Sequence, residues 1–184
     1  MRRMAGRFGL VITAVLILVI PLGAQPKEGK LMDLIVRSGT FNPGGTIPSQ
    51  YTCEGNDVSP PLSWSKGPEG TVSYALIADD PDAPAGTWVH WVLYNVPAAK
   101  VSLEENVAKT KKLGDGSMQG MNDFRKIGYG GPCPPGGTHR YFFKVYALNA
   151  ALKVEPGLTK KQLLKEMEGH ILAQGELIGT YERK

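Results

Sequence analysis

Two cysteines and three histidines are all that the chain offers of the side chains most used as metal ligands, thiol nucleophiles and neutral-pH bases. There is no HExxH and no CxxC, so spacing gives a metal site no support. A G-x-S-x-G elbow and a Walker loop are both missing, which leaves no motif for a serine hydrolase or a P-loop nucleotide enzyme. The serine of GDGSMQG, Ser117, stands in the wrong register for the first of these. Internal repeats and low-complexity tracts are missing too. So is a clustered basic face. The 21 Lys and Arg fall to 18 when Arg2, Arg3 and Arg7 of the extreme N-terminus are set aside, against 17 Asp and Glu. That balance does not recommend a nucleic-acid partner.

What is present points to a folded, loop-rich β protein. The 184 residues suffice for one domain with a real core. Hydrophobic content of 42% and charged content of 21% are ordinary for a globular chain. Gly 23 and Pro 14 favour strands joined by turns over a helical bundle.

Residues 1–24 have a basic start, an apolar run from Phe8 to Leu22, and Ala24 as a small residue at a cleavage point. This is the layout of a secretory signal peptide. The alternative is an uncleaved anchor, but the run is shorter than the ~20 residues of a spanning helix, and Pro21 ends it. Removal of this segment predicts a periplasmic or secreted protein without stable membrane insertion. In that compartment an even cysteine count favours a Cys53–Cys133 disulfide over two buried free thiols.

Residues 25–33 read as a linker and 34–184 as the domain. Strands are expected at Leu34–Ser38, at Val72–Ala78 and at Trp88–Val96, with an edge strand at Ile47–Cys53. Gly114–Gly120 reads as a flexible loop and Asn122–Lys126 as an exposed connection. Thr159 with Gln162 forms a capping box that starts a helix. Leu163, Leu164, Met167 and Ile171 form its buried stripe, and Gly175 its stop. Glu176–Tyr181 returns as a strand.

Two stretches carry the candidate chemistry. In GYGGPCPPGGTHRYFFKVYAL, Gly128 to Leu148, a loop stiffened by Pro132, Pro134 and Pro135 feeds an aromatic strand. A period of two puts His139, Tyr141 and Phe143 on one face, and Arg140, Phe142 and Lys144 on the other. In DDPDAPAGTWVHWVLYNV, the acidic residues Asp79, Asp80 and Asp82 precede a strand in which alternation groups His90 with Trp88, Val92 and Tyr94. An X-Pro bond in so constrained a loop, at Pro84, is a candidate for cis. Two histidines at strand positions, each beside a Pro-rich loop, suit a small-anion site. Nearby carboxylates would favour the imidazolium forms, and the glycines Gly130 and Gly131 could offer backbone N–H groups. Cys133 with His139 as base is the nucleophilic alternative, which a disulfide would preclude. His170 reads as a surface or satisfied core residue. Asp57 reads as a turn cap or a site residue.

With CEGNDVSPPLSW (Cys53 to Trp64), these two stretches make three motifs in order, and together they resemble the phosphatidylethanolamine-binding protein family. The similarity is closest to its bacterial and archaeal Raf-kinase-inhibitor-like branch, also called YbhB/YbcL-like. It runs from about Leu34 to the C-terminus. The resemblance implies a mainly β, antiparallel β-sandwich with a C-terminal helix and few short helices. It also implies a small pocket for phosphate, acetate or a phosphorylated head group. The family's pocket residues fall on Asp80, Asp82, His90, Gly131, His139 and Tyr141, and Pro84 falls where the preceding bond is often cis. The chain departs from the animal branch in having Val89 where that branch has a second histidine, and in having the cysteines. Kinase and protease partners of eukaryotic members do not carry over to an exported bacterial-type chain.

The expectation is an exported, non-enzymatic binding protein that needs no cofactor and no metal. Asp80 and Asp82 would shape the rim and bias both histidines toward protonation. Tyr141 would donate a hydrogen bond and Gly131 would give the ligand room. The alternatives are an inhibitor of a kinase or hydrolase acting through an unidentified protein partner, and a weak hydrolase with a histidine base.

Overall fold

The segment from Ser73 to Asp80 has apolar residues on both sides of its pleat, so it is stable as a strand only where both faces are covered. All eight of its residues are buried. The computed structural model describes residues 32–184. The expected signal peptide, residues 1–24, and linker residues 25–31 lie outside the described residues. The described residues form nine strands: β1 (Met32–Asp33), β2 (Val36–Ser38), β3 (Leu62–Trp64), β4 (Ser73–Asp80), β5 (Trp88–Pro97), β6 (Ser102–Leu103), β7 (Met118–Gln119), β8 (Thr138–Leu148) and β9 (Ile171–Glu182). They also form one α-helix, α1 (Lys160–Met167), and a 3-10 turn at Ser49–Tyr51.

Six strands make the main sheet, in the order β1-β9-β8-β4-β5-β7, and three make a second sheet, β2-β3-β6. Among the strand pairs of the described residues the short β1–β9 pair is parallel and the others are antiparallel, and an isolated parallel bridge joins Thr46 to Thr180. The expected antiparallel β-sandwich is the fold that forms. Tyr74, Leu76, Trp91, Leu93 and Phe143 of the main sheet pack against Val36, Leu62, Trp64 and Leu103 of the small one. On the opposite face Ala75, Ile77, Val92 and Tyr94 pack beneath Leu163 and Met167 of α1. Each fully buried Val, Leu, Ile, Phe or Met side chain among them contributes roughly 1.5–3 kcal/mol.

Helix α1 begins as its residues dictate. The Thr159 side chain accepts from the Gln162 backbone, and the Gln162 side chain accepts from the Thr159 backbone at 2.9 Å. Its end differs from expectation. The helix stops at Met167, Gly169 turns with φ +76°, and Ile171 already belongs to β9. Gly175 lies within β9, where a Cβ would stand 2.0 Å from the Leu34 carbonyl oxygen. It is a close-approach glycine, not a helix stop.

Three other segments also depart from the expected pattern. Pro48 cannot donate to a ladder, and the chain after it curls into the 3-10 turn, with Tyr51 N–H donating to the Pro48 carbonyl at 2.9 Å. The expected edge strand Ile47–Cys53 therefore does not form. Gly114–Gly120 contains β7, held because the Gln119 side chain is fully engaged. It accepts from Trp91 Nε1 at 2.7 Å and donates to the Ala108 and Thr110 carbonyls at 2.7 Å each. All peptide bonds among the described residues are trans, that before Pro84 included. Gly86, at φ +101°, closes that loop by donating to the Ala83 carbonyl at 3.0 Å.

Candidate functional site

Strand β8 is regular, and its alternation holds: His139, Tyr141 and Phe143 are buried while Arg140 and Phe142 are more exposed. It runs antiparallel to β4, with Asp79 opposite Phe142. The two strands thereby bring Asp80 and His139 together. His139 Nδ1 donates to Asp80 Oδ2 at 2.7 Å, and the other oxygen of Asp80 accepts the Asp82 backbone N–H at 2.8 Å. Both side chains are buried. A carboxylate on Nδ1 fixes the tautomer and leaves Nε2 as the uncommitted nitrogen.

His90 reaches the same place by a different route. Across β4 and β5, Ala78 pairs with Trp91 but Asp79 pairs with Val89, so His90 is the extra residue of a β-bulge. A bulge breaks the alternation and re-aims a side chain. Trp91 and Leu93 join the inter-sheet core, while Val92 and Tyr94 face α1. The expected grouping of His90 with Val92 and Tyr94 is thus corrected. His90 instead sets its ring edge-on to Tyr141, centroids 5.2 Å apart, and to Phe124, centroids 5.3 Å apart. Its Nδ1 donates to the Gly130 carbonyl at 2.7 Å, and the Gly130 N–H returns a bond to the His90 carbonyl at 2.9 Å.

A cavity of about 340 Å³ opens between these elements. Asp80, His90 and His139 line it, with Ala83, Pro84 and Ala85 on one side and Cys133, Pro134 and Pro135 on another. Trp88 and Phe124 complete the wall, their rings edge to face at 5.4 Å. Cys53 and Cys133 are joined in a disulfide, Cα atoms 5.4 Å apart. The Cys53 N–H also donates to the Pro132 carbonyl at 3.0 Å. A Pro-rich wall is therefore tied to the 3-10 turn region.

The other expected site residues lie beside the cavity without lining it. Asp82 is held by Arg140 through both of its oxygens, at 2.7 and 2.8 Å, and also accepts the Arg140 backbone N–H at 3.0 Å. That guanidinium holds the Asp82 carboxyl down at about 2. Gly131 donates its N–H to Asp57 Oδ1 at 2.6 Å, and a Cβ there would stand 2.5 Å from the Tyr51 carbonyl oxygen. Tyr141 backs the His90 ring, and its buried hydroxyl makes no well-formed hydrogen bond among the described residues. Burial, with Asp80 and Asp82 nearby, pushes the phenol well up, so it stays a proton donor.

For His90 the electrostatics depart from the expected bias toward protonation. Burial pushes His90 below its ordinary 6.5, against smaller opposing effects of the Gly130 carbonyl and Asp80. In the free protein near neutral pH, His90 Nε2 is therefore a lone-pair acceptor. His170 is elsewhere, paired with Asn149 at 2.8 Å. Among the described residues no three His, Cys, Asp or Glu side chains are grouped as a metal ion requires.

Sequence reasoning missed Phe124, Trp88 and the Ala83–Ala85 side as wall residues. Phe124 did carry a signal, being an aromatic within the polar loop Asn122–Lys126. The Asn122 side chain shapes that loop by donating to the Gly128 carbonyl at 2.9 Å and accepting the Lys126 N–H at 3.0 Å.

Fold and site together define a β-sandwich with a small, imidazole-lined cavity built where two Pro-rich loops meet. A family model described as phosphatidylethanolamine-binding protein matches residues 37–182. The chain belongs to that family. It is 53% identical over 148 residues to a UPF0098 protein of Methanothermobacter thermautotrophicus, an alignment covering 80% of this chain and 98% of that one. It is 49% identical over 158 residues to a UPF0098 protein of Aquifex aeolicus, covering 84% and 91%. Among solved structures it is similar to CT736 of Chlamydia trachomatis, a phosphatidylethanolamine-binding protein homologue, with TM-score 0.76, 42% identity, and coverage of 83% and 99%. It is also similar to YbcL of E. coli, described as a new member of the mammalian family, with TM-score 0.75, 35% identity and the same coverage, 83% and 99%.

Proposed function

We propose that this protein is a non-enzymatic binding protein whose cavity takes a small anion, either phosphate or a phosphorylated head group, and that it works outside the cytoplasm. One observation carries the reading of the cavity. Two imidazoles, from strands that are not sequence neighbours, line one concavity, and each has its Nδ1 engaged by an acceptor of the protein. Nε2 is then the only ring nitrogen left for a ligand. At His90 an anion meets a donor only when the ring takes up a proton, so binding there is coupled to proton uptake. The extracellular setting is supported by the basic-then-apolar N-terminus and by the joined cysteines.

Calorimetric titration with inorganic phosphate near pH ~6, below the ordinary histidine value, tests this. Wild type should bind, and His139→Ala should lose most of the affinity. Equal binding by the two proteins removes the pocket from the account.

The Asp80–His139 pair favours one second reading. A carboxylate that orients an imidazole is also how a general base is set up. A screen with phosphoester and acyl substrates, comparing wild type with His139→Ala, separates turnover from binding.

A further inference from the structure

Cys133 and Phe124 line more than one cavity. A second cavity, of about 230 Å³, lies on the far side and shares Phe124 and Cys133 as its near wall. Cys53, Asp57, Lys126, Tyr129 and the Gly130–Gly131 backbone complete it.

Most of its polar groups are already engaged. Asp57 accepts from Gly131 N–H at 2.6 Å and from the Lys109 ammonium at 2.8 Å. The Tyr129 hydroxyl donates to the Tyr51 carbonyl at 2.8 Å. Gly130 N–H donates to the His90 carbonyl at 2.9 Å. Lys126 differs. Its backbone N–H donates to Asn122, but among the described residues its ammonium has no ion-pair or hydrogen-bond partner. The second lobe thus presents one free cation beside an aromatic ring and a disulfide.

Resting on the anion-binding reading above, we propose that the ligand carries two acidic groups. A phosphate sits at His90 and His139, a carbon stretch crosses Phe124 and the Cys53–Cys133 bridge, and a second phosphate or carboxylate meets Lys126. The first lobe alone is at the low end of the ~300–1,000 Å³ usual for ligand sites, and the two together fall well inside that range. The apolar wall between them suits carbon better than a string of charged groups.

Calorimetry with matched probes tests the assignment. Alkane α,ω-bisphosphates of increasing chain length are compared with the corresponding alkyl monophosphates, for wild type, Lys126→Met and Lys161→Met. Lys161 is a surface control for lost net charge. In wild type one bisphosphate length should bind about fivefold tighter than its monophosphate, a surface charge pair at a favourable site being worth about 1 kcal/mol. Lys126→Met should abolish that advantage and leave the monophosphate unchanged, and Lys161→Met should change neither. The proposal is overturned if no bisphosphate outbinds its monophosphate, or if Lys126→Met weakens both probes equally. Failure of every phosphate to bind would instead remove the anion pocket itself, and the two-group ligand with it.

Discussion

Asp79 and Asp80 stand side by side in β4 with their carboxylates on opposite faces of the main sheet. Asp80 holds His139 Nδ1 at 2.7 Å in the cavity wall. Asp79, its side chain fully buried, is shared by Lys144 at 2.9 Å and Lys160 at 2.5 Å on the α1 face. One step along the strand separates a site residue from a brace, because successive side chains point to opposite faces.

That separation makes Asp79→Asn a stability variant with little effect on the site. Removing a buried charge that two cations share leaves both lysines to turn toward solvent, which their partial exposure permits. The expected loss is about 1–3 kcal/mol by chemical denaturation, with phosphate affinity per folded molecule unchanged. Lys160→Met should cost less, since Lys144 keeps Asp79 paired. A fall in affinity as large as the fall in stability would show that the two faces are coupled.

His90 gives the fold and the site opposite responses to pH. Its folded value lies below 6.5, so as pH falls the unfolded chain takes up that proton first. The ring's contribution to stability is full above 6.5 and is lost as pH falls from there through the lowered folded value. Phosphate reverses the preference, because it favours the imidazolium. Affinity should rise as pH falls, by up to about tenfold per unit for one coupled proton, and level off below the free ring's titration. Denaturation curves at several pH values, with and without phosphate, should show the ligand-free slope reduced in His90→Gln. An affinity that stays flat across the histidine range would remove the proton-coupled mechanism.

How much of this was legible in the sequence depended on the regularity of each strand. In β8 the alternation is unbroken, so the shared face of His139 and Tyr141 could be read directly. In β5 the bulge at His90 breaks it, and the pattern Trp-Val-His-Trp-Val gives no sign of which residue is extra. The triplet of acids before Pro84 was visible, but only the β4–β8 register shows that Asp80 meets His139 while Asp82 meets Arg140. Glycine was the least legible residue. Gly131 and Gly175 lie in suggestive contexts, a ligand loop and a helix end, yet each is required by a backbone that packs onto it from a distant part of the chain.

The disulfide should matter to both stability and binding. It joins residues 80 apart, and closing a loop of that size stabilises by about 4–5 kcal/mol in the chain-entropy account. Cys133 and Pro135 are exposed and Pro134 is buried, and all three line the cavity. Between the Pro132 carbonyl bond and the first β8 pair at Thr138, the bridge is a covalent tie from this stretch to the rest of the fold. Cys53→Ser/Cys133→Ser should therefore unfold at lower denaturant and bind phosphate more weakly even where circular dichroism shows it folded. Retention of full affinity would show that the prolines hold the wall unaided.

Gly131→Ala distinguishes two reasons for a glycine beside a ligand site. If the residue is there to give a ligand room, alanine should leave stability nearly intact and reduce affinity. The packing argues for the other outcome. A Cβ would stand 2.5 Å from the Tyr51 carbonyl oxygen, 2.8 Å from Thr52 Cα and 3.0 Å from Asp57 Oδ1. Two of these atoms are backbone and cannot swing aside as a flexible side chain would. Relief requires moving the 3-10 turn region away from the Pro-rich loop, which strains the Gly131–Asp57 bond and the bridge beside it. The expected cost is about 2–3 kcal/mol, in the range of overpacking, read as a lowered denaturation midpoint with an unchanged slope. Affinity per folded molecule should fall by less than that, because Gly131 does not line the imidazole cavity. A stable alanine variant that has lost phosphate would restore the ligand-facing role and place the anion nearer Gly131 than the His90–His139 geometry puts it.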